Sequence, residues 1–295
     1  MKYKITKAEI ANDWLYETMS ALYSCLQTHG VPIYVVGARA RDFAMIIMHE
    51  NLSPQHTEDL DIAIALPDWS KYEAIAKTLV ENNFHREKSS QKFYYKGPDH
   101  QLDFEVDVVP FGEVAEDEKV KWPPEGNPEL SVRCFEDIMS HADNVEVDGA
   151  FTVKMAPICG QFMIKLDTWN DRNDRTNKDV ADLLFFMKNY FNIRQAELLL
   201  DLPDDIEIPE EESPIFSGAK LIAYDASKLL TTPHLQFFYN LLEEEYVAED
   251  NSKLTIHMAT YRGNSIDNDY AEVFEECREL ICTVRDIFKQ ELDKR

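Results

Sequence analysis

The sequence lacks several features that define large classes of proteins. No run of about 18 apolar residues occurs among its 295 residues, so it predicts no membrane-spanning helix. Its five cysteines include no Cys-X-X-Cys pair, which argues against a disulfide framework and against a zinc site. The residues from Met1 to Ile10 are mixed and charged, unlike the apolar segment of a signal peptide. Together these absences predict a cytoplasmic protein.

Several catalytic and binding motifs are missing as well. The sequence contains no glycine-rich Walker loop, no Gly-X-Ser-X-Gly elbow and no His-Glu-X-X-His pair. It also contains no basic tract, and its net charge of −25 repels phosphate polymers at long range. A nucleotide substrate stays compatible with this charge, because bound divalent ions neutralise phosphate locally.

Hydrophobic periodicity predicts an α/β core followed by a helical region. The predicted core spans residues 1–193 and has a short mixed sheet flanked by helices. An acidic linker is expected at 194–213, since 201–213 holds seven acids, and a mainly helical region at 214–295. The predicted helices are 7–29, 39–49, 69–82, 134–142, 157–171 and 177–191; the predicted strands are 33–36, 60–66, 91–96, 101–109 and, after a long loop at 112–130, a hairpin that turns at Asp148-Gly149.

Two of the predicted strands carry carboxylates on one face. Asp59 and Asp61 stand two residues apart at the start of a buried strand, so their side chains point to the same side of the sheet. Asp103, Glu105 and Asp107 likewise share one face of the strand 101–109. If the two strands are neighbours, Asp59, Asp61 and Asp107 converge into a site for divalent ions such as Mg²⁺ or Mn²⁺. The alternative for Asp59 and Asp61 is a solvated turn or strand edge.

A turn of small residues precedes this carboxylate pair. The strand 33–36 ends at Gly37-Ala38 and runs into a helix. Backbone N–H groups at the N-terminus of a helix can receive a phosphate, because they have no partner within the helix. A simple tight turn at Gly37 is the alternative.

The order of three segments resembles a known family. Val-Val-Gly-Ala-Arg-Ala-Arg-Asp (35–42), Thr-Glu-Asp-Leu-Asp-Ile (57–62) and Val-Asp-Val-Val-Pro-Phe-Gly (106–112) are similar to motifs of bacterial nucleotidyltransferases of the polymerase-beta superfold. The similarity is greatest to the abortive-infection toxin (AbiEii-like) branch, over residues 30–190. It implies that Gly37 and Ala38 hold a triphosphate and that Asp59, Asp61 and Asp107 bind metal ions. Many relatives have Gly-Ser or Gly-Gly where this chain has Gly37-Ala38.

The resemblance also implies a later motif on the two predicted helices at 157–171 and 177–191. Lys165 would contact phosphate and Asp179 would act at or near the acceptor. Lys178 is predicted to bind the nucleotide as well; it lies four residues from Asp182 and can share one charged patch with Asp182 and Asp179. The alternative is a solvated helix face with ordinary ion pairs.

Three further residues are weaker candidates. Arg41 and Arg86 are predicted to reach the nucleotide, with a surface arginine as the alternative for Arg86. His56 precedes Asp59 and is interpreted as a loop histidine rather than a ligand.

The sequence therefore predicts a metal-dependent nucleotidyltransferase that moves a nucleoside monophosphate from a nucleoside triphosphate to an acceptor hydroxyl. RNA such as transfer RNA, a protein and a small molecule stay open as acceptors, and the resemblance implies a toxin with an antitoxin partner. A catalytically inactive nucleotide- or partner-binding regulatory protein and a metal-dependent phosphohydrolase are the alternatives. An RNA acceptor would require the basic residues to line the site, namely Arg39, Arg41, Arg86, Lys88, Lys92, Lys96, Lys165, Arg172, Arg175 and Lys178.

Overall fold

The protein consists of a unit that contains a sheet and a helical unit. The computed structural model describes residues 2–47, 59–86, 90–98, 100–197, 206–263 and 269–295. Contacts between residues divide the chain into two compact units, Met1–Gln161 and Phe162–Arg295. The α/β class and the mainly helical C-terminal region are confirmed. No helix in these ranges is long and apolar enough to cross a membrane.

The first unit is built around a mixed sheet. Its strands are β1 (Lys2–Ile5), β2 (Tyr34–Val36), β3 (Asp59–Ala65), β4 (Phe84–Arg86), β5 (Lys92–Tyr95), β6 (Phe104–Phe111), β9 (Asp143–Val147) and β10 (Phe151–Met155), and a separate hairpin contains β7 (Lys119–Lys121) and β8 (Glu129–Ser131). Within the described residues the sheet has eight strands in the order β1-β9-β10-β2-β3-β6-β5-β4. The central strands β3 and β6 run parallel, whereas β2 is antiparallel to β3 and β5 is antiparallel to β6.

Helices connect these strands and continue into the second unit. The helices are α1 (Lys7–Ile10), α2 (Asp13–Gln27), α3 (Gly37–Ile47), α4 (Trp69–Glu81), α5 (Phe135–Ser140), α6 (Ile158–Arg172), α7 (Asp179–Glu197), α8 (Pro214–Leu229), α9 (Thr232–Val247), α10 (Lys253–Arg262) and α11 (Tyr270–Asp293). The division between the units falls within α6. The later part of α6 and all of α7 therefore belong with the C-terminal helices, whereas the sequence grouped them with the sheet.

Polar caps set the ends of several helices. The Asn12 side chain accepts a hydrogen bond from Leu15 N at 2.9 Å, and this cap starts α2. Ala11 adopts a φ of 51°, so the chain breaks between α1 and α2. The prediction of one continuous helix over 7–29 was wrong here. The apolar spacing continues through the break between α1 and α2, so the spacing alone does not reveal it.

Helices α2 and α4 cover one side of the sheet, which we call the helix-covered face. Leu60 and Ile62 of β3 and Val106 of β6 are buried on this face. From α4, the Tyr72 hydroxyl donates to the backbone carbonyl of Val108 at 3.3 Å. The strands bury alternate residues, and the residues between them point to the opposite side.

Short strands account for most differences from the predicted elements. The sequence did not predict β1 or β4, and the region 112–130 was predicted as a loop although it contains β7 and the start of β8. These strands have three or four residues, which is too few for a periodic pattern to be recognised. Trp122 in this region is fully buried, with its ring 5.3 Å from the Trp69 ring.

The predicted linker begins inside a helix. Helix α7 extends to Glu197, and Arg194 near its end is buried and donates to Asp225 at 2.6 Å. The rest of the predicted linker includes 198–205, which lies outside the described residues. Helix α8 packs closely on α7, since a Cβ atom on Gly218 would lie 1.9 Å from the Met187 carbonyl oxygen.

Candidate active site on the carboxylate-bearing sheet face

The structure brings the predicted carboxylates together on two neighbouring strands. The register of β3 and β6 places Asp59 beside Glu105 and Asp61 beside Asp107. All four side chains are half-buried and alternate with buried apolar residues, so they share the side opposite the helix-covered face. We call this side the carboxylate face. The condition that the sequence left open, namely that the two strands are neighbours, is met.

Gly37 lies directly against one of these carboxylates. The register places Val36, the last residue of β2, beside Asp61. Gly37 follows with a φ of 66°, and a Cβ atom at this position would lie 2.2 Å from Asp61 Oδ2. Both the backbone conformation and the close approach therefore require glycine.

The same turn opens α3. Helix α3 begins at Gly37, so the N–H groups of its first turn have no acceptor within the helix and point out of its N-terminus. Ala38 belongs to this turn and supplies a backbone N–H group without a side-chain donor. A negatively charged group is favoured at such a position by the helix dipole.

Asp107 occupies an unusual electrostatic environment for a carboxylate. Burial raises its pKa, the Lys92 ammonium and the Gln91 amide oppose that rise, and Glu105 and Asp59 add to it. Lys92 Nζ lies 3.6 Å from Asp107 Oδ1 and forms a closer ion pair with Glu105. Among the described residues, Asp107 Oδ1 has no hydrogen-bond partner. This oxygen can therefore accept a cation or a proton.

Lys92 lies at the centre of this site, although no motif in the sequence singled it out. It was named only among the basic residues that an RNA acceptor would require. The register of β5 and β6 places it directly beside Asp107. Alternation within Lys92–Tyr95 places Lys92 and Tyr94 on one face of the strand. Which residues of the neighbouring strand lie beside them depends on the strand pairing, which the sequence does not show.

Two arginines of α3 are held by contacts within the protein. Arg39 Nε donates to the backbone carbonyl of Asp59 at 3.2 Å, which fixes the start of β3. Arg41 is buried, and its guanidinium lies 3.2 Å from Asp42 Oδ1. In this structure Arg41 is therefore not positioned to contact a nucleotide as predicted, because its guanidinium is buried in the protein.

Arg86 lies apart from the carboxylates. Its partner in the register is Phe93, which is buried on the helix-covered face. The guanidinium lies 5.1 Å from the centre of the Tyr72 ring and donates two hydrogen bonds of 3.0 Å to Glu73. These contacts give Arg86 a structural role, and with a side chain that is 16% exposed it does not match the alternative of a surface arginine either.

The predicted later motif forms a separate charged cluster in the second unit. The fully buried Asp179 carboxylate accepts hydrogen bonds of 2.7 and 2.6 Å from Arg172. Lys165 Nζ lies 3.7 Å from Asp179 and 2.7 Å from Asp182, whereas Lys178 is exposed. The pairing that forms therefore joins the two helices α6 and α7, instead of joining Lys178 to Asp182 along one helix.

The donor set on the carboxylate face suits a hard divalent ion. Such ions prefer carboxylate oxygens, and Asp59, Asp61 and Asp107 offer them on adjacent positions of two strands. The ranges that the structure describes contain no group of three or more His, Cys, Asp or Glu side chains already arranged to hold a metal ion. Lys92 is the cation that contacts Asp107 and Glu105 in this arrangement. His56 and Lys88 lie outside the described residues.

Comparison of the sequence with protein-family models and with curated proteins gave no match.

Proposed function

We propose that the protein is a metal-dependent nucleotidyltransferase whose site is the carboxylate face. The observation that carries this proposal is the contact between the Gly37 turn and Asp61, with Asp107 next to Asp61 in the register. A phosphate-binding turn that touches a cluster of carboxylates suits a triphosphate bound together with Mg²⁺ or Mn²⁺. The type of reaction is proposed from the resemblance to nucleotidyltransferases of the polymerase-beta superfold, in particular to the abortive-infection toxin branch.

The metal ions would be held by Asp59, Asp61 and Asp107. Bound there, they would neutralise the charge of the triphosphate and of the departing pyrophosphate. The Oδ1 of Asp107, which has no hydrogen-bond partner among the described residues, and the half-buried carboxylates beside it are the features of this chain that favour a divalent cation. Lys92 would have to yield its contact with Asp107 when such a cation binds.

The chain's own groups have distinct tasks in the proposed reaction. The N–H groups of the Gly37 turn donate to the triphosphate, and Arg39 holds β3 in place through the Asp59 carbonyl. The acceptor oxygen attacks the α-phosphorus and pyrophosphate leaves. Asp107 takes the proton of the acceptor hydroxyl.

The resemblance also bears on the acceptor and on the wider role of the protein. It extends the proposal to a toxin with an antitoxin partner, with Lys165 contacting phosphate and Asp179 acting near the acceptor. In the structure both residues are engaged in the ion-pair cluster with Arg172 and Asp182.

Calorimetric titration with each nucleoside triphosphate, with and without Mg²⁺, tests the site. The intact protein should bind a triphosphate when Mg²⁺ is present, and Asp61→Asn should abolish this binding while the protein stays folded. Asp143→Asn is the matched control, because Asp143 starts β9, which is separated from β3 by β10 and β2. Unchanged affinity in Asp61→Asn would contradict the proposed metal site.

Transfer of a radiolabelled α-phosphate then tests the reaction. Label carried to RNA, protein or a small-molecule fraction identifies the acceptor class. Tight Mg²⁺-dependent binding without transfer would favour an inactive regulatory protein, and release of free phosphate would favour a phosphohydrolase.

A further inference from the structure

Two stacked aromatic rings lie on the carboxylate face beyond the acids. The register places His85 of β4 beside Tyr94 of β5, and Tyr94 beside Glu105 of β6. The rings of His85 and Tyr94 are 5.1 Å apart at an interplanar angle of 15°. Glu105 in turn lies beside Asp59. One row across the sheet therefore leads from the ring pair to the proposed metal site.

His85 is the more exposed member of the pair, although its Nε2 lies 3.6 Å from Asp103 Oδ2. The His85 side chain is 56% exposed. A similar pair, Trp14 and His100, stacks at 4.8 Å and 12°, but its histidine side chain is 26% exposed and Trp14 packs against Phe104 on the helix-covered face. The Trp14 pair has a packing role, whereas the outer ring of the His85 pair presents its surface to solvent.

The ring pair and the Gly37 turn lie on opposite sides of the carboxylates. In the strand order β2-β3-β6-β5-β4, the turn follows β2 and the rings stand on β5 and β4. If the triphosphate lies at the turn, a second substrate approaches from the side of β5. Neighbouring strands are about 4.8 Å apart and two residues span about 6.7 Å, so Tyr94 stands about 8 Å from Asp107, and His85, one strand farther, stands about 12 Å from it. One nucleotide can span the separation between Tyr94 and Asp107.

We propose that His85 and Tyr94 form a stacking platform for the aromatic base of the acceptor, which is therefore a nucleoside, a nucleotide or the end of a short strand. This inference rests on the proposed function of the carboxylate face. Every base offers a flat π-face to an aromatic side chain, so such a platform binds bases with little sequence preference. Stacking does not require a basic surface, which agrees with a chain of net charge −25.

The test uses the full chain and measures acceptor binding directly. Calorimetry or fluorescence follows titration with each of the four nucleoside monophosphates and with a mixed tetraribonucleotide. Each titration is made with the free protein and with protein saturated with Mg²⁺ and a non-hydrolysable triphosphate. The monophosphates and the tetraribonucleotide distinguish a free nucleotide from a strand end as the source of the base.

Tyr94→Ala should weaken acceptor binding by about 5- to 150-fold, the range that one stacked base contributes. Tyr94→Phe should restore binding, because the ring is retained without the hydroxyl. His85→Ala should weaken binding as well, whereas His100→Ala, in the matched pair on the helix-covered face, should leave it unchanged. Binding of the triphosphate should be the same in all four variants.

Three results would overturn the inference. These are the absence of nucleotide and oligonucleotide binding in the unaltered protein, equal binding in Tyr94→Ala, or a parallel loss of triphosphate affinity, which would place the donor's base on the rings. A protein acceptor would appear as the first of these. Failure of the proposed function is a separate result, namely triphosphate binding that Asp61→Asn leaves intact. The titrations of the free protein with nucleotides do not depend on triphosphate binding, so the two failures can be distinguished.

Discussion

At the scale of single residues, Gly37 is the position at which sequence and site are most tightly linked. Its positive φ of 66° favours glycine in itself, and the Asp61 carboxylate occupies the space of a side chain. Gly30 has nearly the same φ, 68°, but nothing lies within 4 Å of the position of its Cβ atom. An alanine at either position would strain the backbone, but only an alanine at Gly37 would also displace Asp61. Comparing the two variants therefore distinguishes these effects.

Gly37→Ala should abolish Mg²⁺-dependent triphosphate binding and lower the free energy of unfolding more than Gly30→Ala does. The left-handed conformation alone costs about 1–2 kcal/mol for a residue with a Cβ atom, and both variants share that cost. Urea unfolding and calorimetric titration of the two proteins measure the difference. Equal losses of stability, with binding intact in both, would show that Asp61 moves aside without consequence.

Asp107 gives the site a dependence on pH. Its carboxyl binds a proton more tightly in the folded protein than in the unfolded chain, because burial raises its pKa. The stability that this group contributes is therefore complete below its ordinary pKa of about 3.9 and is lost as the pH rises through the raised value. At neutral pH the ionised carboxylate is a source of instability until a cation compensates it.

Asp107→Asn should therefore be more stable than the unaltered protein at pH 7 in the presence of EDTA. The gain should shrink as the pH is lowered from 7 toward 4, because the native carboxyl takes up a proton as the pH falls through its raised pKa. Adding Mg²⁺ with triphosphate should stabilise the unaltered protein alone, since a ligand that binds the folded state raises its stability. Urea unfolding over this pH range measures all three effects, and a less stable Asn variant at pH 7 would show that the contact with Lys92 outweighs burial.

At the scale of elements, strand register decides which side chains share a site. Lys92 and Arg86 are separated by six positions on adjacent strands, yet one lies beside Asp107 and the other on the helix-covered face. A shift of one residue in the pairing would exchange them. Helix pairing has the same role in the second unit, where Asp179 of α7 joins Arg172 and Lys165 of α6.

Asp179→Asn should destabilise the second unit by about 2–3 kcal/mol, because the buried carboxylate accepts two charge-assisted hydrogen bonds from Arg172. Asp174→Asn is the matched control, since its side chain is 81% exposed in the ion pair with Lys253 and exposed pairs contribute little. Urea midpoints compare the two. Loss of catalysis in Asp179→Asn under conditions where it stays folded would support the role implied by the family resemblance, and an unchanged midpoint would contradict the structural role.

At the scale of the whole molecule, charge is the dominant property. The chain carries 55 acidic and 30 basic residues, and the excess acids repel one another in the folded state. Salt screens such repulsion over about 10 Å at 0.1 M and over shorter distances at higher concentration.

Raising NaCl from about 20 to about 500 mM should raise the thermal midpoint by about 2–4 °C, the shift expected for about 1 kcal/mol in a protein of this size. Repeating the series near pH 4.6, the isoelectric point calculated from the sequence, should remove the effect, because the net charge vanishes there. A midpoint that falls with salt at pH 7 would show that favourable ion pairs outweigh the net repulsion.

The sequence by itself determined the local features of this protein. Alternation in Asp59–Ala65 and Phe104–Phe111 placed Asp59, Asp61 and Asp107 on one face of their strands, and Asp148-Gly149 set the hairpin turn. The tertiary structure alone decided that β3 and β6 are neighbours, that Gly37 touches Asp61, that Lys92 joins the acids and that Arg86 does not. The reason is physical: the direction of a side chain follows from its own strand, whereas its neighbours depend on strand pairing between residues distant in the sequence, which no local pattern records.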